Sequence, residues 1–337
     1  MKDSPSTSSG RTELAILADP DIDPAPLAGK RVAILGYGNQ GRAQALNLKG
    51  SGIDVVVGLR GGSGSTREAE LAGLRTALLE DAVASADVVM MLAPDETHAA
   101  LYAEIAPQLR EQAALGFSHG LSIRFGLVEP RPDLDIFMVA PKGPGTALRS
   151  LYEQGKGMIA LWAVEQDATG KARAVALAYG RAIGCGRAGL IASSFAEEAE
   201  ADLFNEQAVV WGGVPELLIA GFETLVSGGI APEVAYLECV GELHLIAELI
   251  EARGIAGMRE AISNTAELGA LLGGKRIVDD GVRQRMAEVL AEVRAGRFAE
   301  ELSAEKARGY ERLEKARSAA RSTLLEQTRQ RLTNEDG

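Results

Sequence analysis

Two cysteines, three histidines and an aromatic share of 4% are the scarcities of this 337-residue chain. Cys185 and Cys239 cannot build a disulfide framework, so stability has to come from buried apolar surface, and a reducing, cytoplasmic setting is expected. Cys239 reads as a buried helix residue. Cations are also outnumbered: 35 Lys and Arg stand against 47 Asp and Glu, a net charge of −12, which argues against nucleic acid or an anionic membrane as partner. No apolar run reaches the length of a bilayer span. The lead MKDSPSTSSGRTE lacks the apolar core of a secretory signal, and residues 1–14 are expected to be disordered. The length suits two domains, each able to hold a core.

What is present is strongly patterned. RVAIL (31–35), DVVVG (54–58), DVVMML (87–92), AALGFS (113–118) and DIFMVA (135–140) read as buried strands. Amphipathic stretches such as NQGRAQALNLKG and DETHAALYAEIAPQLR separate them. Such alternation predicts a parallel sheet with helices on both faces, a doubly wound α/β domain over 15–193. From 194 to 337 only helical periodicity is found, with breaks expected at Gly212-Gly213, Gly228-Gly229, Gly254 and Gly273-Gly274. The charged stretch from about 304 predicts an exposed terminal helix.

RVAIL runs into Gly36-Tyr37-Gly38-Asn39-Gln40-Gly41, a G-x-G-x-x-G between a strand and a helix. Gly36 allows the tight turn, Gly38 lets backbone approach a pyrophosphate, and Gly41 permits close helix–strand packing. A dinucleotide site follows. NAD-type sites carry an acid at the end of the second strand. Here that strand ends in Gly58-Leu59-Arg60, then GGSGST, so Arg60, Ser63 and Ser65 offer a cation and two hydroxyls suited to a 2′-phosphate. NADPH is the expected cofactor.

In the helical half, Asp202 with Glu206 and Glu238 with Glu242 share a spacing of four within apolar sequence. On an α-helix that spacing puts each pair on one face. Chance alone would give roughly six or seven acidic pairs at this spacing, most of them on solvated faces. The apolar setting distinguishes these two, because carboxylates there are costly unless paired, protonated or bound to metal. Two such helices facing each other would offer oxygen ligands suited to Mg²⁺ or Mn²⁺. Among the histidines, His119 in FSHG follows a strand where a doubly wound sheet presents its crevice. His98 starts a helix and reads equally as a surface residue. His244 points away from the Glu238–Glu242 face. Lys142, in MVAPKGPG, follows what reads as the last strand.

The segments GYGNQG, VVVGLR, MLAPDET, GFSHG, MVAPKGPG, EADLFNEQAV, AGFETLVSGG, YLECVGELHLI and AISNTAE together resemble ketol-acid reductoisomerase, also called acetohydroxy-acid isomeroreductase, in its short-chain class I form. The resemblance spans roughly residues 15 to 300. It implies a Rossmann domain followed by a knotted helical domain, NADPH and two Mg²⁺ as cofactors, and an active site formed between two subunits, so at least a homodimer; dimer and dodecamer both stay open. It implies metal ligands at Asp202, Glu206, Glu238 and Glu242. His119 is implied as the active-site histidine and Ser263 as a substrate contact. Lys142 and Glu242 become candidate proton carriers. Cofactor contacts fall on Tyr37, Gly38, Asn39, Gln40, Arg60, Ser63, Ser65, Asp95, Glu96, Thr97, His98 and Gly145. The implied reaction is Mg²⁺-dependent alkyl migration in 2-acetolactate or 2-aceto-2-hydroxybutyrate, then reduction by NADPH to the 2,3-dihydroxy acid, in branched-chain amino-acid biosynthesis.

The chain departs from the family pattern at Arg124, where a second histidine is usual, and in NTAELGALLGGKRIV, where an aromatic and an acid are missing after Ser263. The usual tail is also replaced. Three alternatives share the Rossmann-plus-helices plan: a paralogue acting on a related 2-hydroxy-3-keto acid, a metal-independent β-hydroxyacid dehydrogenase, and a non-catalytic NADPH-binding protein. Four inward acids with His119 and Lys142 favour the reductoisomerase.

Overall fold

A computed structural model describes residues 15–333; the lead expected to be disordered, 1–14, lies outside them. Nine strands form one sheet: β1 (Ile16–Leu17), β2 (Arg31–Leu35), β3 (Asp54–Leu59), β4 (Arg75–Leu78), β5 (Val88–Met91), β6 (Ala114–Phe117), β7 (Asp135–Pro141), β8 (Ala160–Gln166) and β9 (Leu190–Ala192). Their spatial order is β1-β9-β8-β7-β6-β5-β2-β3-β4. The six strands from β4 to β7 in that order are mutually parallel. The chain reverses direction across the sheet between β2 and β5, which is where a Rossmann sheet opens its ligand crevice.

The sheet is mixed rather than wholly parallel. Residues 154–159 bring the chain back to the carboxyl end of β7, where the Lys142 N–H donates to the Ile159 carbonyl at 2.9 Å. β8 therefore starts beside Pro141 and runs antiparallel to β7. β9 lies parallel to β8, and β1 closes the edge antiparallel to β9. Lys142 thus follows the seventh strand of nine, not the last.

Helices α1 (Asn39–Gly50), α2 (Ser65–Leu71), α3 (Leu79–Ala84), α4 (His98–Ile105), α5 (Leu121–Arg124), α6 (Gly145–Glu153) and α7 (Ala172–Ala182) connect the strands and cover both faces. Successive strand residues point to opposite sides. Val32 and Ile34 accordingly pack with Leu48, Leu148 and Tyr179 in one core, while Ala33 and Leu35 join Met91, Ile105 and Phe117 in the other. Each fully buried Leu, Ile or Val contributes about 1.5–3 kcal/mol relative to exposure.

The second compact unit begins at Glu200. That boundary falls inside α8 (Phe195–Ala208), whose first turn belongs to the sheet unit through buried Phe195 and Glu198. There follow α9 (Gly213–Ser227), α10 (Pro232–Tyr236), a π-helical turn (Leu237–Gly241), α11 (Leu243–Ala261), α12 (Asn264–Ile277), α13 (Asp280–Arg294), α14 (Arg297–Ala307), α15 (Glu311–Arg321) and α16 (Leu324–Thr333). Gly254 kinks α11 with φ 67°, but Gly273-Gly274 makes no break, because α12 runs through both. The charged end folds as three helices rather than one. Tyr310 takes the left-handed conformation, and buried Glu305 accepts from the backbone N–H groups of Arg312 and Leu313. The stretch Phe195–Ser227 is long and apolar enough, by length and composition, to cross a membrane. No single apolar run shows this. The stretch is interrupted by the turn at 209–212 and carries Glu198, Asp202 and Glu206.

Candidate functional site

The crevice is built from the loop after β2. Gly36 has φ 100°, and a Cβ there would lie 2.8 Å from the Ala93 nitrogen. Gly41 meets the Gly36 carbonyl so closely that no side chain fits between helix and turn. Only glycine satisfies both demands. α1 begins at Asn39, so its first N–H groups open toward the crevice, as phosphate binding at a helix N-terminus requires.

The loop is tied to the segment that carries Lys142. Gln40 donates from Nε2 to the Gly143 carbonyl at 2.9 Å, and Asn39 Oδ1 accepts from the Thr146 N–H at 2.9 Å. Beneath it, fully buried Gln44 donates to Gln40 Oε1 and Ser118 Oγ and accepts from the Tyr179 hydroxyl at 2.7 Å. Ser118 in turn donates to the Val139 carbonyl. Every polar atom of the Gln44 amide except one acceptor lone pair is used, which fixes the strand end before His119.

Two clefts flank the loop. One, of about 320 Å³, is lined by residues 36–40, 91–95, His98, Ser118 and His119. The other, of about 670 Å³, runs between α1 and α6 past Tyr37, Asn39, Arg42, Glu68, Gly145 and Arg149. Tyr37 lines both and is only 7% exposed, yet its hydroxyl has no hydrogen-bond partner among the described residues. A buried hydroxyl without a partner is costly, and a polar ligand in the crevice satisfies it. These residues therefore fit a nicotinamide dinucleotide.

The other expected cofactor contacts fall into two groups. Arg60 stands at the end of β3, paired with Glu104 at 3.3 Å. Ser63 Oγ accepts from the Ser65 N–H, holding the turn into α2. On the far side, Asp95, Glu96 and Thr97 form a 3₁₀ turn after β5. His98 is not a surface residue: it is 2% exposed. Its Nε2 lies 2.9 Å from the Ala93 carbonyl, which can only accept, so Nε2 carries the proton and Nδ1 accepts from the Ser122 hydroxyl at 2.7 Å. Burial holds its pKa below the usual value, so the ring is neutral. Both ring nitrogens of His98 are thus engaged within the protein.

The end of the crevice that carries His119 and Lys142 centres on Glu198, which sequence reasoning missed. Its carboxylate is buried. Oε2 accepts from His119 Nδ1 at 2.9 Å and from the Gly120 N–H at 2.7 Å, and Oε1 accepts from Lys142 Nζ at 2.9 Å. Burial alone would push its pKa up; the His119 hydrogen bond and the charges of His119 and Lys142 outweigh this and bring it down to about 2. The acid is ionised, so His119 presents a protonated Nδ1 toward it, and Lys142 Nζ donates to it from the other side.

Glu198 also opens a stripe on α8, for Asp202 and Glu206 follow at the same spacing of four. A signal was available: 198, 202 and 206 share one face, and the adjoining face is buried at Phe195, Ala199 and Leu203. The second pair behaves differently. Glu238 lies in the π-helical turn and Glu242 directly follows it, so their spacing is set by π rather than α geometry. Glu206, Glu238 and Glu242 are exposed, and Asp202 is half-buried. Among the described residues of the helical unit, no three acid, histidine or cysteine side chains gather round one point. Cys239 is a half-buried free thiol rather than a buried one. Ser263 caps α12, accepting from the Ala266 N–H at 3.2 Å.

A Rossmann sheet with its crevice at the chain reversal, followed by an all-helical unit, defines a two-domain nicotinamide-dependent oxidoreductase. Residues 26–189 match the family model for acetohydroxy acid isomeroreductase, NADPH-binding domain, and residues 195–335 match that for ketol-acid reductoisomerase, C-terminal domain. The solved structure of an NADH-preferring ketol-acid reductoisomerase from an uncultured archean is 42% identical, covers 95% of this chain and 98% of its own, and superposes with a TM-score of 0.92. A putative oxidoreductase from Jannaschia sp. CCS1 shares the fold at 19% identity and TM-score 0.60, over 79% of this chain and 98% of that one. A semialdehyde dehydrogenase NAD-binding protein from Cupriavidus necator does so at 20% and 0.58, over 79% and 99%. The chain belongs to the ketol-acid reductoisomerase family. It is an oxidoreductase that isomerises an acetohydroxy acid and reduces the product with a nicotinamide cofactor, in branched-chain amino-acid biosynthesis.

Proposed function

We propose that the cofactor is NADPH, that two Mg²⁺ are held by Asp202, Glu206, Glu238 and Glu242, and that the substrate is 2-acetolactate or 2-aceto-2-hydroxybutyrate. The observation that carries this reading is the buried Glu198 carboxylate, which holds His119 and Lys142 together at the crevice and ends one helical turn before Asp202. Both Glu198 oxygens are engaged by donors, so Glu198 orients its neighbours and leaves metal ligation to the acids further along α8. The bound ions would act as Lewis acids on the substrate's hydroxyl and ketone oxygens, and NADPH would supply the hydride. Lys142 and Glu242 move the protons: one takes the hydroxyl proton as the alkyl group migrates, and the other returns a proton to the reduced oxygen. His119, its ring oriented by Glu198, orders the hydrogen bonds around the reacting oxygens. Ser263 contacts the substrate from the start of α12.

NADPH is supported by the end of β3, where Arg60, Ser63 and Ser65 stand and no carboxylate does. A site shared between two copies is supported by the exposure of Glu238 and Glu242 beside Leu237, Leu243 and Leu245, which are 53%, 40% and 50% exposed. Large apolar side chains in that number around functional acids mark a surface meant to be covered. The helical unit takes the family's knotted topology, and the enzyme works in the cytoplasm as a homodimer or a larger assembly of dimers.

The test is NADPH oxidation with 2-acetolactate, with and without Mg²⁺. Turnover should require the ion. Asp202→Asn should lower isomerisation by at least about 100-fold while NADPH still binds. Metal-independent turnover, or an Asp202→Asn enzyme that isomerises normally, sinks the metal assignment.

A further inference from the structure

The ion pair at the end of β3 has no role in the reaction above. Arg60 Nη2 lies 3.3 Å from Glu104 Oε2, with side chains 61% and 40% exposed. Glu104 is the penultimate residue of α4, and the helix is anchored by buried Leu101, Tyr102 and Ile105 on its inner side. The position of Glu104 is therefore set by the sheet. Arg60, on a long exposed stem past the last residue of β3, is the partner able to move.

We propose that Glu104 sets how strongly the enzyme prefers NADPH over NADH, acting through Arg60. The inference rests on Arg60 being the cation that meets the 2′-phosphate. A guanidinium gripped by a carboxylate has to exchange or share that partner before it serves a phosphate. The carboxylate also repels the incoming dianion. NADH carries no 2′-phosphate, so it binds with the Arg60–Glu104 pair undisturbed. Glu104 thus subtracts from NADPH affinity alone. The contact is single and solvent-exposed, not a bidentate clamp, so the subtraction is modest: about two- to fivefold in Kd. Glu104 is a positioning residue for cofactor choice and touches no reacting atom.

The experiment measures Kd for NADPH and for NADH by fluorescence titration of the full-length protein and of Glu104→Gln, Arg60→Gln and the double variant. Glu104→Gln should tighten NADPH about two- to fivefold and leave NADH in place, and the gain should shrink as salt screens the carboxylate. In the Arg60→Gln background the same substitution should change the Kd ratio far less. A Glu104→Gln protein with an unchanged ratio, or with weaker NADPH binding, overturns the proposal while a collapsed preference in Arg60→Gln keeps the phosphate reading intact. If Arg60→Gln itself leaves the preference unaltered, the phosphate reading fails and the proposal with it.

Discussion

Glu198 shows how much of this site depends on one side chain. A buried carboxylate is tolerated because three donors meet it. Its pKa lies below the ordinary 4.5, at about 2, so the folded state binds its proton less readily than the unfolded chain does. Its contribution to stability is then fully present above about pH 5, and it is lost as the pH falls through the interval between those values. The difference in Tm between wild type and Glu198→Gln should accordingly be flat from pH 5 upward and shrink below pH 4; a difference that grows on acidification would contradict the ionised state. At neutral pH the same variant should lose about 10²–10⁴-fold in kcat, since His119 and Lys142 lose the group that aims them, with NADPH binding retained. The sequence showed His119 and Lys142 through their motifs. It concealed Glu198 among the neighbouring acids Glu197, Glu200 and Asp202, where composition alone cannot say which of them faces inward.

At the scale of elements, legibility followed burial. β2, β3, β5, β6 and β7 are continuous apolar runs, and each was readable within a residue or two. β8 was missed because only Ala160 and Ala163 of Ala160–Gln166 are buried, three residues apart, which gives neither a continuous apolar run nor a period of two, and β4 because its four residues are all partly or largely exposed. β1 and β9 have two and three residues, too few for a pattern. The π-helical turn at Leu237–Gly241 has no signature in hydrophobic spacing. The Gln44 network was equally invisible, since a glutamine in a helix reads as a surface residue until its neighbours are known. That network gives a prediction. Gln44→Leu leaves the Tyr179 hydroxyl without an acceptor in the core and should destabilise the sheet unit by about 1–3 kcal/mol, seen as a lower denaturation midpoint, and should weaken cofactor binding by loosening Gln40.

For the whole molecule, the informative contrast lies between the two units. The sheet unit buries its large side chains on both faces. The helical unit leaves Leu217, Ile255, Leu268, Leu271, Leu272 and Ile277 between 52% and 66% exposed. A second copy is the expected cover. Equilibrium sedimentation should then find no stable monomer at micromolar concentration, and activity should fall on dilution together with the dimer population. An active monomer would show that one chain completes its own metal site. The sequence carried the two-unit division through the point where its strands stop. It could not show which helical faces stay open, because an apolar helix face looks the same whether it is covered by its own chain or by another.

Helix α8 has one further consequence. Glu198, which holds His119 and Lys142, and Asp202, the first of the proposed metal ligands, follow each other by one helical turn, a rise of about 6 Å. One inserted residue between them would rotate Asp202 and everything downstream by about 100° relative to Glu198. Length changes elsewhere in the helical unit can be absorbed in turns. Within α8 they cannot, so under the proposed metal assignment a one-residue insertion between Glu198 and Asp202 should abolish isomerisation, whereas substitutions at the intervening exposed position 201 should be tolerated.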